Sequence, residues 1–273
     1  ARGELEIAGT LAAPSARGEL RLERLVVSEE RPACAPRARR ELELRAVRLP
    51  FTVTAAELTL RPLEARVADG TVSMRVGRAL SPGGPLRLSD VQVKGLSLAP
   101  VLVGYLCQGY AVSGPLTLAG EARLDPADPW RTLGGSGTLA IGKGKVMGSA
   151  LSALLHDVTG IAGLARLVPE ARPGQAVASP LEFDAITASY TITGGIARTE
   201  DFLYRGPGAT VAAVGTYGLA DHRVDLQVTL SQDRNQVKAA VTGTAPGRLR
   251  IVPTEVRRPD PESLRRFLDR LFR

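Results

Sequence analysis

The chain is poor in aromatic side chains: Phe, Trp and Tyr make up 4% of 273 residues, with a single tryptophan. Large flat rings usually anchor a compact core or stack beneath a sugar. Burial must therefore rest on Leu, Val, Ile and Ala, and a carbohydrate-binding module is disfavoured. Cysteine is also scarce. Cys34 and Cys107 lack metal-ligand spacing; they either pair in an oxidising compartment or stay as buried thiols. The two histidines, His156 and His222, have no second His or Cys at ligand spacing, so neither a metal nor another cofactor is expected. There is no run of about eighteen apolar residues, the length a membrane-spanning helix needs.

A catalytic constellation is missing too. Gly142, Gly144 and Gly148 superficially evoke a dinucleotide-binding turn, but the spacing departs by one residue and no parallel βαβ unit follows. These glycines are expected in hairpin turns. No nucleophile elbow is present, serines are scattered through turns, and Glu200-Asp201 reads as a solvated acidic pair. The chain is expected not to be an enzyme. Its formal net charge is +7, but the arginines that carry most of it are spread through nearly every strand and turn. Nucleic-acid binding, which wants a clustered basic face with stacking aromatics, is not expected.

What is abundant is alternation. From Leu181 to Leu230 four short strands are separated by Gly194-Gly195, Gly206-Pro207-Gly208 and Leu219 to His222. In the last strand Val224, Leu226, Val228 and Leu230 fall on one face, while Arg223, Asp225, Gln227 and Thr229 fall on the other. The same rhythm runs through residues 1 to 98, as in Leu5 and Ile7, Leu42 and Leu44, Phe51 and Val53, Leu58 and Leu60, Leu86 and Leu88, and Val91 and Val93. The polar partners are often charged, so one face meets water. GELEIAGTLAAP at Gly3 to Pro14 is echoed by GPLTLAGEARLDP at Gly114 to Pro126, as expected of a sheet extended by adding similar strands.

Three segments break the rhythm. Residues 99 to 110 and 149 to 168 show helical spacing; the second carries Leu151, Leu154, Leu155, Val158, Ile161, Leu164, Leu167 and Val168 in one stripe that Pro169 ends. The third, within residues 254 to 273, is basic and amphipathic, with Leu264, Phe267, Leu268, Leu271 and Phe272 flanked by arginines. It is expected to plug an end of the sheet, or else to contact a membrane surface or an envelope protein.

The order of elements from about Leu86 to Pro253 resembles the C-terminal region of the AsmA-like family, relatives of TamB and other bridge-like lipid-transport proteins of Gram-negative envelopes. The matching stretches are LSDVQVKGLSLAPVLVGYL, then VSGPLTLAGEARLDPADPWRTLGGSGTLAIGKGKVMGSALSALL, then FDAITASYTITGGIARTEDFLYRGPGATVAAVGTYGLADHRVDLQVTL. The resemblance implies a curved antiparallel sheet with a hydrophobic concave side, in a periplasmic protein anchored to the inner membrane.

The expectation is therefore a mainly β protein: an extended curved antiparallel sheet, open or taco-like, with two or three short helices packed on or capping it. Residues 1–85 form an N-terminal repetitive β segment, 86–253 the AsmA-like region, and 254–273 the terminal helix. The chain is expected to bind or conduct phospholipid acyl chains along an apolar β-groove, with Phe183, Ile192, Val224, Leu226, Val228 and Leu230 as groove candidates. It would contribute in this way to outer-membrane lipid homeostasis. The alternative is an assembly factor that docks envelope partners without carrying lipid. The first residues already read as a strand in mid-pattern, so the membrane anchor is expected in an upstream segment absent from this chain. Alternation by itself leaves open whether the apolar face lines a groove or a closed core.

Overall fold

The computed structural model describes residues 1–10, 13–31, 38–81, 83–107, 110–148, 181–207, 209–232, 235–245 and 248–257. The strands are β1 (Arg2–Thr10), β2 (Ala13–Arg31), β3 (Ala38–Thr54), β4 (Glu57–Val67), β5 (Gly70–Ala79), β6 (Leu86–Ser97), β7 (Tyr110–Val112), β8 (Pro115–Leu124), β9 (Gly134–Ile141), β10 (Gly144–Gly148), β11 (Leu181–Phe183), β12 (Ala185–Thr193), β13 (Ile196–Gly206), β14 (Ala209–Gly218), β15 (Arg223–Gln232), β16 (Asn235–Thr244) and β17 (Arg248–Arg257). Fourteen of them form one antiparallel sheet in the order β1-β2-β3-β4-β5-β6-β8-β9-β12-β13-β14-β15-β16-β17, and it does not close on itself. The other three form a small sheet, β11-β10-β7. The mainly β expectation holds in this form.

Strand order nearly follows chain order because short connections favour antiparallel neighbours. Gly194 and Gly195, at φ 56° and 75°, turn the chain between β12 and β13. His222, at φ 57°, turns it between β14 and β15. Gly142 and Lys143 close no hairpin, contrary to expectation. They carry the chain from β9 of the large sheet to β10 of the small one, which pairs with β7 and β11 instead. Gly144 is required in β10 because a Cβ there would fall 2.0 Å from the Ser113 carbonyl oxygen and 2.9 Å from the Phe183 ring.

Two short helices occur among the described residues. Pro100–Tyr105 is a π-helical turn, with the Leu106 N–H donating to the Val101 carbonyl at 2.8 Å. It is shorter than the helix expected near 99–110, because Cys107 takes φ 54° and ends it. Its Tyr105 is buried beside β3. Cys107 is disulfide-bonded; Cys34 lies outside the described residues. The second helix, Pro129–Thr132, is a single α-turn between β8 and β9. The segments expected as helices at 149–168 and within 254–273 lie outside the described residues.

The chain divides into two compact units. One comprises Ala1–Cys107, Pro115–Leu139 and Thr191–Ile196; the other comprises Gln108–Gly114, Ala140–Tyr190 and Ala197–Arg273. The boundary expected at 85/86 falls between β5 and β6, which are paired neighbours inside the first unit.

In the first unit β-bulges keep apolar residues in step. On β8, Leu116, Leu118, Gly120, Ala122 and Leu124 alternate without interruption, and their partners on β6 are Leu96, Val93, Val91, Leu88 and Leu86. The β6 residues slip phase twice, where Asp90 (φ 51°) and Gly95 (φ 68°) each insert one extra residue. β4 does the same between Leu60 and Leu63. The outcome is a row of apolar partners running Leu5, Gly18, Phe51, Leu60, Val76, Leu88 and Ala122 across seven strands. The adjacent row on the opposite face reads Glu6, Arg17, Thr52, Thr59, Gly77, Arg87 and Arg123.

Candidate functional site

The strongest candidate site is one face of β14 to β17 in the second unit. Antiparallel partners share a face, so the registers define it directly. Its rows are Tyr217, Val224, Gly243 and Leu249; then Gly215, Leu226, Val241 and Ile251; then Ala213, Val228, Ala239 and Pro253; and then Val211, Leu230 and Val237. No row contains a charged side chain. The opposite face carries Thr216, Asp225, Thr242 and Arg250 in one row, and Ala212, Thr229, Lys238 and Glu255 in another. Lys238 Nζ and Glu255 Oε2 lie 2.8 Å apart there. Val214 and Val252 are the exposed aliphatic exceptions on that polar face.

Depth on the apolar face is uneven. Val224 and Ala213 are buried, at 7% and 6% exposure. Leu226, Val228, Leu230, Val211, Val241 and Ile251 are only half-buried. Sheet neighbours cover the flanks of such side chains and leave their tips to whatever lies above. With strands about 4.8 Å apart and same-face residues about 6.8 Å apart along each strand, the patch measures on the order of 15 by 20 Å. At one end the Tyr217 hydroxyl and His222 Nδ1 share a 2.7 Å hydrogen bond, which satisfies the polar tip of the one aromatic residue on the face.

The structure thus brings together Val224, Leu226, Val228 and Leu230 on one face of β15. The sequence reading missed the partners that complete the patch, Val211 and Ala213 on β14, Val237, Ala239 and Val241 on β16, and Leu249 and Ile251 on β17. Their signal is the same alternation, muted by small residues in ATVAAVGTYG and by the extra residue where β17 slips register opposite Lys238 and Ala239.

Two other groove candidates lie elsewhere. Ile192 is half-buried on β12, where Ile186, Ala188 and Tyr190 share its parity; burial raises the Tyr190 phenol above its ordinary pKa. Phe183 belongs to the small sheet and is fully buried, at 0% exposure. Its ring lies 6.0 Å from that of Tyr204, tilted by 57°. The Tyr204 hydroxyl donates to the Glu182 carbonyl at 2.7 Å, and burial, with Asp184 as a lesser cause, pushes its pKa up to about 12. Phe183 is thus a core residue of a buried cluster. Leu264, Phe267, Leu268, Leu271 and Phe272 lie outside the described residues.

The polar faces are organised by ion pairs and hydrogen bonds. Glu19 sits between Arg48, whose Nε donates at 3.0 Å, and Arg21; hydrogen bonds from Arg48 first and Arg21 second hold its carboxyl down to about 2. The Asp201 carboxylate accepts from the backbone N–H and the hydroxyl of Ser189, at 2.7 and 2.8 Å, and these bonds hold its pKa below the usual range. Among the described residues no group of three or more His, Cys, Asp or Glu side chains is placed to hold a metal ion. No helix among them is long and apolar enough to cross a membrane, which says nothing of strands. No family model, curated protein or solved structure matches this chain.

Proposed function

We propose that this chain is a non-enzymatic envelope protein of the AsmA-like group that binds or conducts phospholipid acyl chains along the apolar face of β14 to β17. The observation that carries the reading is the in-register patch around Leu226, free of charge in every row and half-buried at its centre. Acyl chains ask nothing directional of a surface. They are held by removal of apolar area from water, at about 0.8 kcal/mol per CH₂. A surface of Leu, Val, Ile, Ala and Gly suits them, and it needs no catalytic group.

The periplasm is the compartment we propose, with an inner-membrane anchor upstream. The disulfide at Cys107 supports an oxidising setting. In this reading the chain contributes to outer-membrane lipid homeostasis.

The test is mass spectrometry of lipids extracted from the purified chain, for the wild type, Leu226→Glu and Gln227→Glu. Phospholipid is expected with the wild type and with Gln227→Glu, whose change lies on the polar face. It is expected to be lost from Leu226→Glu at unchanged circular dichroism. Wild-type protein free of lipid, or a folded Leu226→Glu variant that still carries it, overturns the proposal and favours an assembly factor that docks envelope partners without lipid.

A further inference from the structure

A separate feature occurs at one end of the sheet within the first unit. The connections β5–β6, β8–β9 and β12–β13 all leave the sheet at this end, because the intervening strands run antiparallel in the order β5-β6-β8-β9-β12-β13. Each carries a large apolar side chain into solvent: Leu80 at 47% exposure, Trp130 at 53% and Ile196 at 53%. Trp130 is the only tryptophan in the chain.

The tips are built rather than loose. The Gly195 N–H donates to the Leu133 carbonyl at 2.8 Å, which ties the β12–β13 turn to the β8–β9 connection. Within that connection the Asp125 N–H donates to Thr132 Oγ1 at 2.8 Å, the Ala127 N–H to Asp125 Oδ1 at 2.9 Å, and the Thr132 hydroxyl to the Asp128 carbonyl at 2.6 Å. The Leu80 N–H donates to the Ala56 carbonyl at 2.8 Å. Several backbone N–H groups of these connections are thus paired within the protein.

Charge lies just behind the apolar tips. Arg87 and Arg123 are direct cross-strand partners one row in from the end, Arg78 occupies the end row opposite Leu86, and Arg131 follows Trp130. All four are exposed, and none has a carboxylate partner among the described residues. The nearby acids are Glu57, whose carboxylate lies over Gly77 beside Arg87, Glu121, two residues from Arg123 on the same strand face, and Asp125 and Asp128; Asp125 is occupied by the Ala127 N–H. Like charges placed opposite each other, as Arg87 and Arg123 are, cost stability unless an anion lies between them.

We infer that this end of the sheet docks on an anionic lipid bilayer, with Leu80, Trp130 and Ile196 entering the interface and Arg78, Arg87, Arg123 and Arg131 meeting lipid phosphates. An indole is suited to that boundary because its apolar body and N–H donor are wanted on opposite sides. The arginines suit it because each adjacent cation adds attraction to an anionic surface. Nucleic acid fits less well, since one indole offers a single stacking surface. The inference does not depend on acyl binding by β14 to β17.

The single tryptophan makes a direct test. The full chain is mixed with phosphatidylcholine vesicles, with and without phosphatidylglycerol, and the emission of Trp130 is recorded. A blue shift that is larger with phosphatidylglycerol is expected, together with quenching by lipids brominated on the acyl chain. Trp130→Ser combined with Ile196→Ser, followed by vesicle sedimentation, is expected to lower partitioning by roughly a hundredfold, about tenfold for each large apolar side chain withdrawn from the interface. Arg123→Ser with Arg131→Ser is expected to abolish the preference for the anionic lipid. Leu226→Glu is expected to leave the emission shift unchanged, which separates docking from acyl binding. Unchanged emission and no quenching at lipid excess, or a shift indifferent to phosphatidylglycerol, overturns the inference.

Discussion

Gly195 lies directly against the Trp130 carbonyl: a Cβ on Gly195 would fall 2.0 Å from that oxygen. With φ at +75°, the position is closed to other residues both by its conformation and by its neighbour. Gly195→Ala is therefore expected to cost roughly 1–3 kcal/mol in urea unfolding. It should also alter the near-ultraviolet signal of Trp130, since the two connections must separate. A variant as stable as wild type would refute the contact.

Phe183 is the most deeply buried large side chain among the described residues, wedged between Tyr204 and Gly144. Phe183→Ala leaves a cavity that the backbone at Gly144 and Ser113 cannot fill. The expected loss is roughly 3–5 kcal/mol, read from the denaturation midpoint at constant m-value. Phe183→Leu should recover a good part of it.

On β15 the two faces should respond unequally. Leu226→Ala is expected to cost about 1–2 kcal/mol, less than a fully buried leucine would, because the site is only half-buried. Gln227→Ala, on the exposed face, should stay within about 0.5 kcal/mol of wild type. Equal effects at the two positions would mean that the face assignment is wrong.

Glu19 gives a pH signature. Its folded pKa of about 2 lies below the ordinary 4.5, chiefly through the hydrogen bond from Arg48. A depressed carboxylate contributes stability that is fully present above the ordinary value and is lost as pH falls through the folded value. The melting temperatures of wild type and Glu19→Gln should differ at neutral pH, converge between 4.5 and about 2, and approach each other in high salt as well, because the group lies at the surface.

Much of this architecture was legible in the residues. The tight turns at Gly194-Gly195 and around His222, and the common face of Val224, Leu226, Val228 and Leu230, all follow from local chemistry. Phe183 was not legible in this way: it alternates like a groove residue, but the chain crosses to the small sheet at that point and buries it completely. Leu86, Leu88, Val91 and Val93 looked like two short segments, because a phase slip in a sequence reads equally as a turn or as a bulge. The backbone at Asp90 resolves it as a bulge within one strand.

By itself the sequence determined that this protein is built from amphipathic strands, since period-two alternation depends only on the geometry of a single extended chain. It could not determine which residues stand beside one another. Arginines that looked dispersed along the chain become neighbours, as Arg87 and Arg123 do, and Leu226 gains Gly215 and Val241. Those pairings are set by bulges, connection lengths and strand order, which act between strands. For that reason the tertiary structure alone decided where the apolar patch ends and where the positive charge collects.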